Sequence, residues 1–301
     1  MVRTDDTGHS AADQASSSQT HLIDDITAIV VAFGAVDLLR RCIDHLHESG
    51  VSRIIVWDNS QSARDRYVID SMASLQVTVL RSGVNEGFGR GNNRAVALAD
   101  SDHVLLVNPD CMVNAVGLVH MAETLTGDST VGVVAPRMRY ADGTRGFAGG
   151  GRPSLCKELL AATRIDDFVG ARHRRRLIAL FERLAGRSSG GLLDTIASGG
   201  PVTLHWVSGF CLLLRRIDYA KIGGFDDRYF LYFEDVDLCE RLSREGRSVV
   251  LDRRAEMLHF ESSTATGTKS AHYWGGLATY FSTHGAPIRS VVARMMSRIS
   301  R

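Results

Sequence analysis

Ile26–Phe33 (ITAIVVAF) is a continuous run of apolar and β-branched residues. A strand with one face in water alternates apolar and polar positions, so a run of this kind belongs to a strand covered on both faces, the usual state of a parallel sheet. Parallel strands need crossovers, and Val36, Leu39, Ile43 and Leu46 follow at helical spacing. The pattern then repeats. Arg53–Trp57, Val77–Leu80, His103–Val107 and Val131–Ala135 read as strands, with helical runs at Ala95–Ala99 and through Leu118, Val119, Ala122 and Leu125. Repeated βα units predict an α/β fold with a Rossmann-like, mostly parallel sheet and ligands off the carboxyl ends of its strands.

The βα rhythm breaks between about 141 and 205, where Gly146, Gly149, Gly150 and Gly151 precede a basic run, Arg172–Arg187. This stretch reads as an insertion. Trp206–Leu214 resumes as a strand, a helix follows at 235–245, Ser248–Leu251 is a last strand before His259, and 270–301 reads as one or two helices. Residues 1–25 are polar with no apolar core and read as a disordered tail, not a signal peptide. The expected organisation is a tail (1–25), one domain (26–267) and a C-terminal helical segment (268–301).

Charge and cysteine usage exclude several classes. Thirty-five Lys and Arg against 34 Asp and Glu leave a net charge of +1, so no overall field favours nucleic acid. Cys42, Cys111, Cys156, Cys211 and Cys239 contain no Cys-x-x-Cys pair, which argues against a disulfide framework or a zinc site and fits a reducing, cytoplasmic compartment. Apolar runs such as Phe210–Leu214 fall far short of the ~20 residues a membrane helix needs.

Four groups of residues are placed for chemistry. Asn108-Pro109-Asp110 follows a strand, and an oxygen-rich corner there suits Mg²⁺ or Mn²⁺, which takes one or two carboxylates plus substrate phosphates; its plainer reading is a turn that starts the next helix. Asp58-Asn59-Ser60 also ends a strand, where Asp58 can accept from a pyrimidine imide or a ribose hydroxyl, or simply cap a helix. In Asn85-Glu-Gly-Phe-Gly-Arg-Gly91, the glycines Gly87 and Gly89 would let backbone N–H groups approach a nucleotide while Arg90 meets a phosphate. A dinucleotide fingerprint is not the primary reading, because this loop is G-x-G-x-G after about the third strand rather than G-x-G-x-x-G in the first βα turn; a nucleotide-dependent oxidoreductase stays a rival that would need this loop to bind a dinucleotide. His259, just past the last strand, is a candidate metal ligand.

The longest signal is Gly224–Leu242, where the aromatic run Tyr229, Phe230, Tyr232 and Phe233 delivers Glu234, Asp235 and Asp237 to a helix start. Acids there complement the helix dipole, and Asp237 can pair with Arg241 four residues on. Asp235, at the end of the aromatic lip, is the one suited to general-base work.

Taken in order, DNS, NEGFGRGN, LLVNPD, WVSGFCLLLRR, GGFDDRYFLYFEDVDLCERL and HFESSTATG resemble the family-2 glycosyltransferases. The similarity is greatest to bacterial rhamnosyltransferases, including the type that adds L-rhamnose to a polyprenyl-diphosphate-linked N-acetylglucosamine. The resemblance runs from about Ile26 to about Gly267 and implies a GT-A fold, a nucleotide-binding sheet merged with an acceptor-binding half. It implies Asp58, Asn85, Gly87, Gly89, Arg90 and Asn108 on the donor, Asp110 and His259 on a divalent cation, and Asp235 as catalytic base. Glu234, Asp237 and Trp206 become acceptor-side candidates. Asn108 replaces the first acid of the family's DxD motif, and Phe33-Gly34 stands where many members have Tyr-Asn.

The expected reaction is inverting transfer, most simply of L-rhamnose from dTDP-L-rhamnose, to a glycan or polyprenyl-linked acceptor. A UDP-hexose donor with a soluble acceptor, or a non-catalytic sugar-nucleotide-binding relative, are the alternatives. Arg172–Arg187 and Ile288–Arg301 mix arginines with apolar stripes and are candidates for peripheral contact with an anionic membrane surface.

Overall fold

A computed structural model of the chain describes residues 22–162, 199–260 and 268–300. The Arg172–Arg187 segment and Ser262–Thr264 lie outside the described residues.

Among the described residues the main sheet has nine strands. β1 (Ile26–Ala32), β2 (Arg53–Asp58), β3 (Val77–Leu80) and β4 (His103–Val107) run parallel in the order β3-β2-β1-β4. Beyond β4 the order continues through β10 (Cys211–Arg215), β6 (Val131–Tyr140), β11 (Ser248–His259) and β5 (Cys111–Met112). β10 is antiparallel to both neighbours, β6 and β11 are parallel, and β5 and β8 (Val202–Leu204) both pair antiparallel with β11. β7 (Gly149–Gly150) and β9 (Trp206–Val207) form a separate two-stranded ladder. Every residue of β1 is buried, as its unbroken apolar run requires.

The helices are α1 (Val36–Glu48), α2 (Ala63–Asp70), α3 (Phe88–Val96), α4 (Ala115–Gly127), α5 (Leu155–Ala162), α6 (Arg216–Lys221), α7 (Glu234–Arg244), α8 (Thr268–Thr283) and α9 (Pro287–Ile299). α1 buries Leu39, Cys42, Ile43 and Leu46, the stripe its spacing predicts. α8 and α9 close a second apolar cluster, in which Trp274, Leu277, Ala278 and Phe281 pack on Tyr229, Phe233 and Val236. Among the described residues no helix is long and apolar enough to cross a membrane.

The structure corrects four boundaries. Leu22–Asp24 form a helical turn, Ile23 is buried, and Asp25 reaches His103 Nδ1 at 3.1 Å, so these residues belong to the fold and not to a tail. α3 begins inside the glycine-rich stretch at Phe88, seven residues before the expected start at Ala95. The strand expected over Trp206–Leu214 is two, β9 and β10, separated by Ser208-Gly209-Phe210. β11 runs on to His259 through an irregularity between Asp252 and Glu256, which keeps it paired with β6 to Tyr140.

Candidate active site

The carboxyl ends of β2, β1 and β4 lie side by side, because Ala32 pairs with Asp58 and Val30 with Val107. Asp58 is fully buried, its Oδ1 accepting from Ser60 N at 2.8 Å and its Oδ2 from Arg81 Nε at 3.0 Å. Arg81 also grips Asp70, and that hydrogen bond raises the guanidinium pKa further. Asp58 is therefore held rigidly at the strand end by an arginine to which the sequence reading assigned no role.

The glycine stretch is a helix start rather than an open loop. Gly87 has φ +85°, and a Cβ there would lie 2.5 Å from Phe230 O. Gly89 lies against Phe225, and Gly91 against Val31 and Trp57, so a side chain at either would collide with the sheet or the aromatic segment. Asn85 Oδ1 accepts from Gly87 N at 2.9 Å, and Asn59 Nδ2 donates to Gly87 O at 3.0 Å. Arg90 lies 3.5 Å from Asp227, and Arg94 lies 3.6 Å from Glu86. These glycines let α3 pack closely, and both arginines already face acids.

At the end of β4, Asn108 N donates to Phe210 O at 2.9 Å. β5 pairs Cys111 with His259, which brings Asp110 Oδ1 within 3.1 Å of His259 Nε2 and Asn108 Nδ2 within 3.5 Å. Residues 151 positions apart in sequence thus share one corner. The His259 ring meets Phe210 edge-on at 5.4 Å, and its Nδ1 is buried with no hydrogen-bond partner among the described residues. A 3.1 Å separation of Asp110 and His259 matches the edge of a metal octahedron, about 3 Å for ligands at ~2.1 Å. Among the described residues no three His, Cys, Asp or Glu side chains are grouped to hold a metal, so a cation here would take its other ligands from phosphate and water.

On the other side of Phe210 lies the acidic helix. Tyr232 and Phe233 both have φ 69°, the left-handed region that non-glycine residues rarely adopt, and this double turn aims the first residues of α7. Glu234 is buried, its Oε2 has no partner among the described residues, and burial, then the Asp235 charge, push its pKa up to about 8. Asp235 is only partly buried; its Oδ2 accepts from Gly209 N at 2.9 Å and its Oδ1 from Val236 N at 2.8 Å. Burial raises its pKa while those N–H groups oppose the rise. A carboxylate that is pinned, half-desolvated and still open to solvent is equipped to take a proton.

Asp237 is differently placed. It is fully buried, with Oδ2 2.7 Å from Arg241 Nε and Oδ1 2.8 Å from His284 Nε2, so its carboxylate ties α7 to the segment after α8. The helix pairing read from the sequence is present, and His284 is an addition that only the fold reveals. Trp206 donates from Nε1 to Gly151 O at 2.9 Å and meets Phe147 edge-on, which makes it part of the wall around β7.

The fold therefore brings two half-sites together at consecutive residues: Gly209 holds Asp235, and Phe210 holds Asn108 and His259. Sequence reading missed this junction because Ser208-Gly209-Phe210 looked like the interior of a strand. The glycine after a serine was the available signal of a break.

The glycosyl transferase family 2 sequence model matches residues 27–188, more than half of the 301-residue chain. N-acetylglucosaminyl-diphospho-decaprenol L-rhamnosyltransferase of Mycobacterium tuberculosis (strain H37Rv) is 27% identical over 212 residues, covering 65% of this chain and 62% of that protein. The chain thus spans less than two thirds of that relative's length. Rhamnosyltransferase WbbL of Escherichia coli (strain K12) is 27% identical over 227 residues, covering 72% of this chain and 76% of its own. Among solved structures, mannosyltransferase PcManGT from Pyrobaculum calidifontis, in complex with GDP-Man and Mn²⁺, superposes with a TM-score of 0.58 at 12% identity, covering 97% of this chain and 81% of that one. S. aureus TarS 1–349 gives 0.51 at 14% identity, covering 85% and 72%. At such identities the likeness shows the fold, which is GT-A. The sheet order, its loaded strand ends and the matched sequence agree, and the chain belongs to glycosyl transferase family 2.

Proposed function

We propose that the chain is an inverting glycosyltransferase that moves a sugar from a nucleotide donor to an acceptor hydroxyl. The observation that carries this reading is the Gly209-Phe210 junction, where Gly209 holds the partly buried Asp235 carboxylate and the next residue meets the Asp110–His259 corner. Asp235 takes the proton of the acceptor hydroxyl as that oxygen attacks the anomeric carbon, and the bond from that carbon to the nucleoside diphosphate breaks. Burial and the Asp235 charge favour the protonated form of Glu234, so the proton of the pair is drawn to Glu234 and Asp235 is left to act as the base. Asp58 and Asn108, at the ends of β2 and β4, face the nucleotide and diphosphate side. Asp110 and His259 would hold a divalent cation, Mg²⁺ or Mn²⁺, which supplies charge neutralisation for the departing diphosphate.

The donor we infer is dTDP-L-rhamnose, and the acceptor a glycan or a polyprenyl-diphosphate-linked sugar on the cytoplasmic side of a membrane. The two rhamnosyltransferases among the relatives support this choice. A thermal-shift panel of sugar nucleotides, with and without Mn²⁺, tests it, since a ligand that binds only the folded chain stabilises it by mass action. Stabilisation by dTDP-L-rhamnose with Mn²⁺ is expected. Stabilisation by UDP-hexoses alone moves the donor assignment, and none by any sugar nucleotide removes the reading.

A further inference from the structure

A helix on a globular surface normally turns its apolar stripe inward. α9 does the reverse. It packs on α8 through small residues: Ala293 is buried, Ser290 Oγ donates to Ala278 O at 2.8 Å, and Ser297 Oγ donates to Ala271 O at 3.0 Å. Met296 also packs on the cluster that α8 closes, whereas four other large apolar side chains, Ile288, Val291, Met295 and Ile299, are 81%, 53%, 57% and 77% exposed. Their spacing of three, four and four residues puts them on one stripe along the helix. Arg289, Arg294 and Arg298 flank it, Arg289 also lying over the Phe281 ring at 5.9 Å. From Ser262 to Arg301 the chain carries Lys269, Arg289, Arg294, Arg298 and Arg301 and no Asp or Glu at all.

We propose that α9 is a docking surface for an anionic phospholipid bilayer, lying flat with its aliphatic stripe among the acyl chains and its arginines on the headgroups. Thirteen residues rise about 20 Å, too short to span the ~30 Å hydrocarbon core, so the helix binds in the plane. Charge decides the occupant. A second copy meeting this face across a two-fold axis would set arginines against arginines, whereas an anionic surface complements all of them. Beside α9 lies a groove of about 560 Å³, lined by Arg228, Phe230, His272, Gly276 and Ser297. It adjoins the aromatic segment that leads into Glu234 and Asp235. Docking would therefore bring that segment close to the membrane. Binding to the bilayer needs only α9, while delivery of a lipid-linked acceptor along this route also rests on the glycosyltransferase reading.

The test is flotation of the full chain with vesicles of phosphatidylglycerol and phosphatidylcholine, against phosphatidylcholine alone, at low and high salt. The chain should float with the anionic vesicles only, and salt should release it. The combined variant Arg289→Gln, Arg294→Gln, Arg298→Gln should lower partition on the order of a hundredfold. The combined variant Ile288→Ser, Val291→Ser, Met295→Ser, Ile299→Ser should abolish flotation with an unchanged melting curve, since the replaced side chains are exposed. Failure of the wild type to float, or flotation unchanged in both variants, overturns the proposal. So does a wild-type dimer in light scattering that the serine variant converts to monomer, because the stripe is then a self-association face. The donor thermal shift, measured without vesicles, separates failure here from failure of the catalytic reading.

Discussion

Gly276 of α8 lies against the main-chain carbonyl of Tyr232, and a Cβ at that position would overlap the oxygen. Tyr232 and Phe233 are both left-handed, a conformation that costs roughly 1–2 kcal/mol per non-glycine residue. That strain sits at the entry to α7, one step before the Glu234–Asp235 pair, and persists because α8 is packed over it. Gly276→Ala should destabilise the fold by about 1–3 kcal/mol and lower kcat more than it changes donor affinity. Denaturant unfolding and steady-state kinetics check this together. Wild-type values in both would show that Tyr232 yields freely and that α8 does not set the Asp235 geometry.

Asp235→Asn keeps the shape of the side chain and an oxygen for Gly209 N, but removes the base. Transfer should fall by about 10²- to 10⁴-fold, while donor binding, read by calorimetry, stays intact. The pH profile carries a second signature. Burial raises the Asp235 pKa, so the fraction of ionised base, and with it the rate, should decline as pH falls through a value above the usual aspartate range. A variant that transfers at near the wild-type rate refutes the assignment.

Asp110→Ala and His259→Ala should weaken donor binding in the presence of Mn²⁺, each by about tenfold or more, with less effect when no metal is added. The 3.1 Å approach of Asp110 to His259 predicts that the two losses are not additive, since either removal dissolves the same corner. Unchanged affinity in both variants would place the cation elsewhere.

Much of this molecule was legible in its sequence, for identifiable reasons. β1, β2 and β4 are covered on both faces, so their apolar runs are unbroken and the polar ends of β2 and β4, Asp58 and Asn108, stand out. The start of α3 was not legible. Glycine disfavours helix interiors, and only the approach of Phe225, Val31 and Trp57 shows why Gly89 and Gly91 are there. Asp237 read as a helix-start acid pairing with Arg241 and as an acceptor-side candidate, and its second partner was hidden because His284, 47 positions away, is brought to it by the fold. Likewise Arg81 carries no motif, yet it fixes Asp58. Long-range pairings of this kind leave no periodicity to read.

His284 and Asp237 make the fold's attachment of the C-terminal helices testable. Both side chains are buried, and removing His284 takes the 2.8 Å partner from Asp237 Oδ1 while Arg241 still holds Oδ2. His284→Ala should destabilise by about 1–3 kcal/mol, with α8 and α9 loosening first. Hydrogen exchange resolved along the chain checks this. Uniform loss of protection across the sheet and α8 alike would mean that the pair contributes to global stability and not to this junction.

Glu234 provides the sharpest dependence on pH. Burial and the neighbouring Asp235 charge raise its folded pKa to about 8, from an ordinary value of 4.5. Between those two values the unfolded chain releases the proton and the folded chain keeps it, so the folded state binds more protons and stability falls as pH rises. The destabilisation is absent below pH 4.5, grows through neutrality and levels off above pH 8. Glu234→Gln fixes the side chain in the uncharged form, so it should match the wild type in acid and exceed it at pH 8 by about 1–3 kcal/mol. Unfolding by urea at several pH values reads the difference directly. A gap that stays constant from pH 4.5 to pH 8 would mean that Glu234 ionises normally in the folded chain, and Asp235 would then sit beside a second negative charge rather than a buried neutral acid.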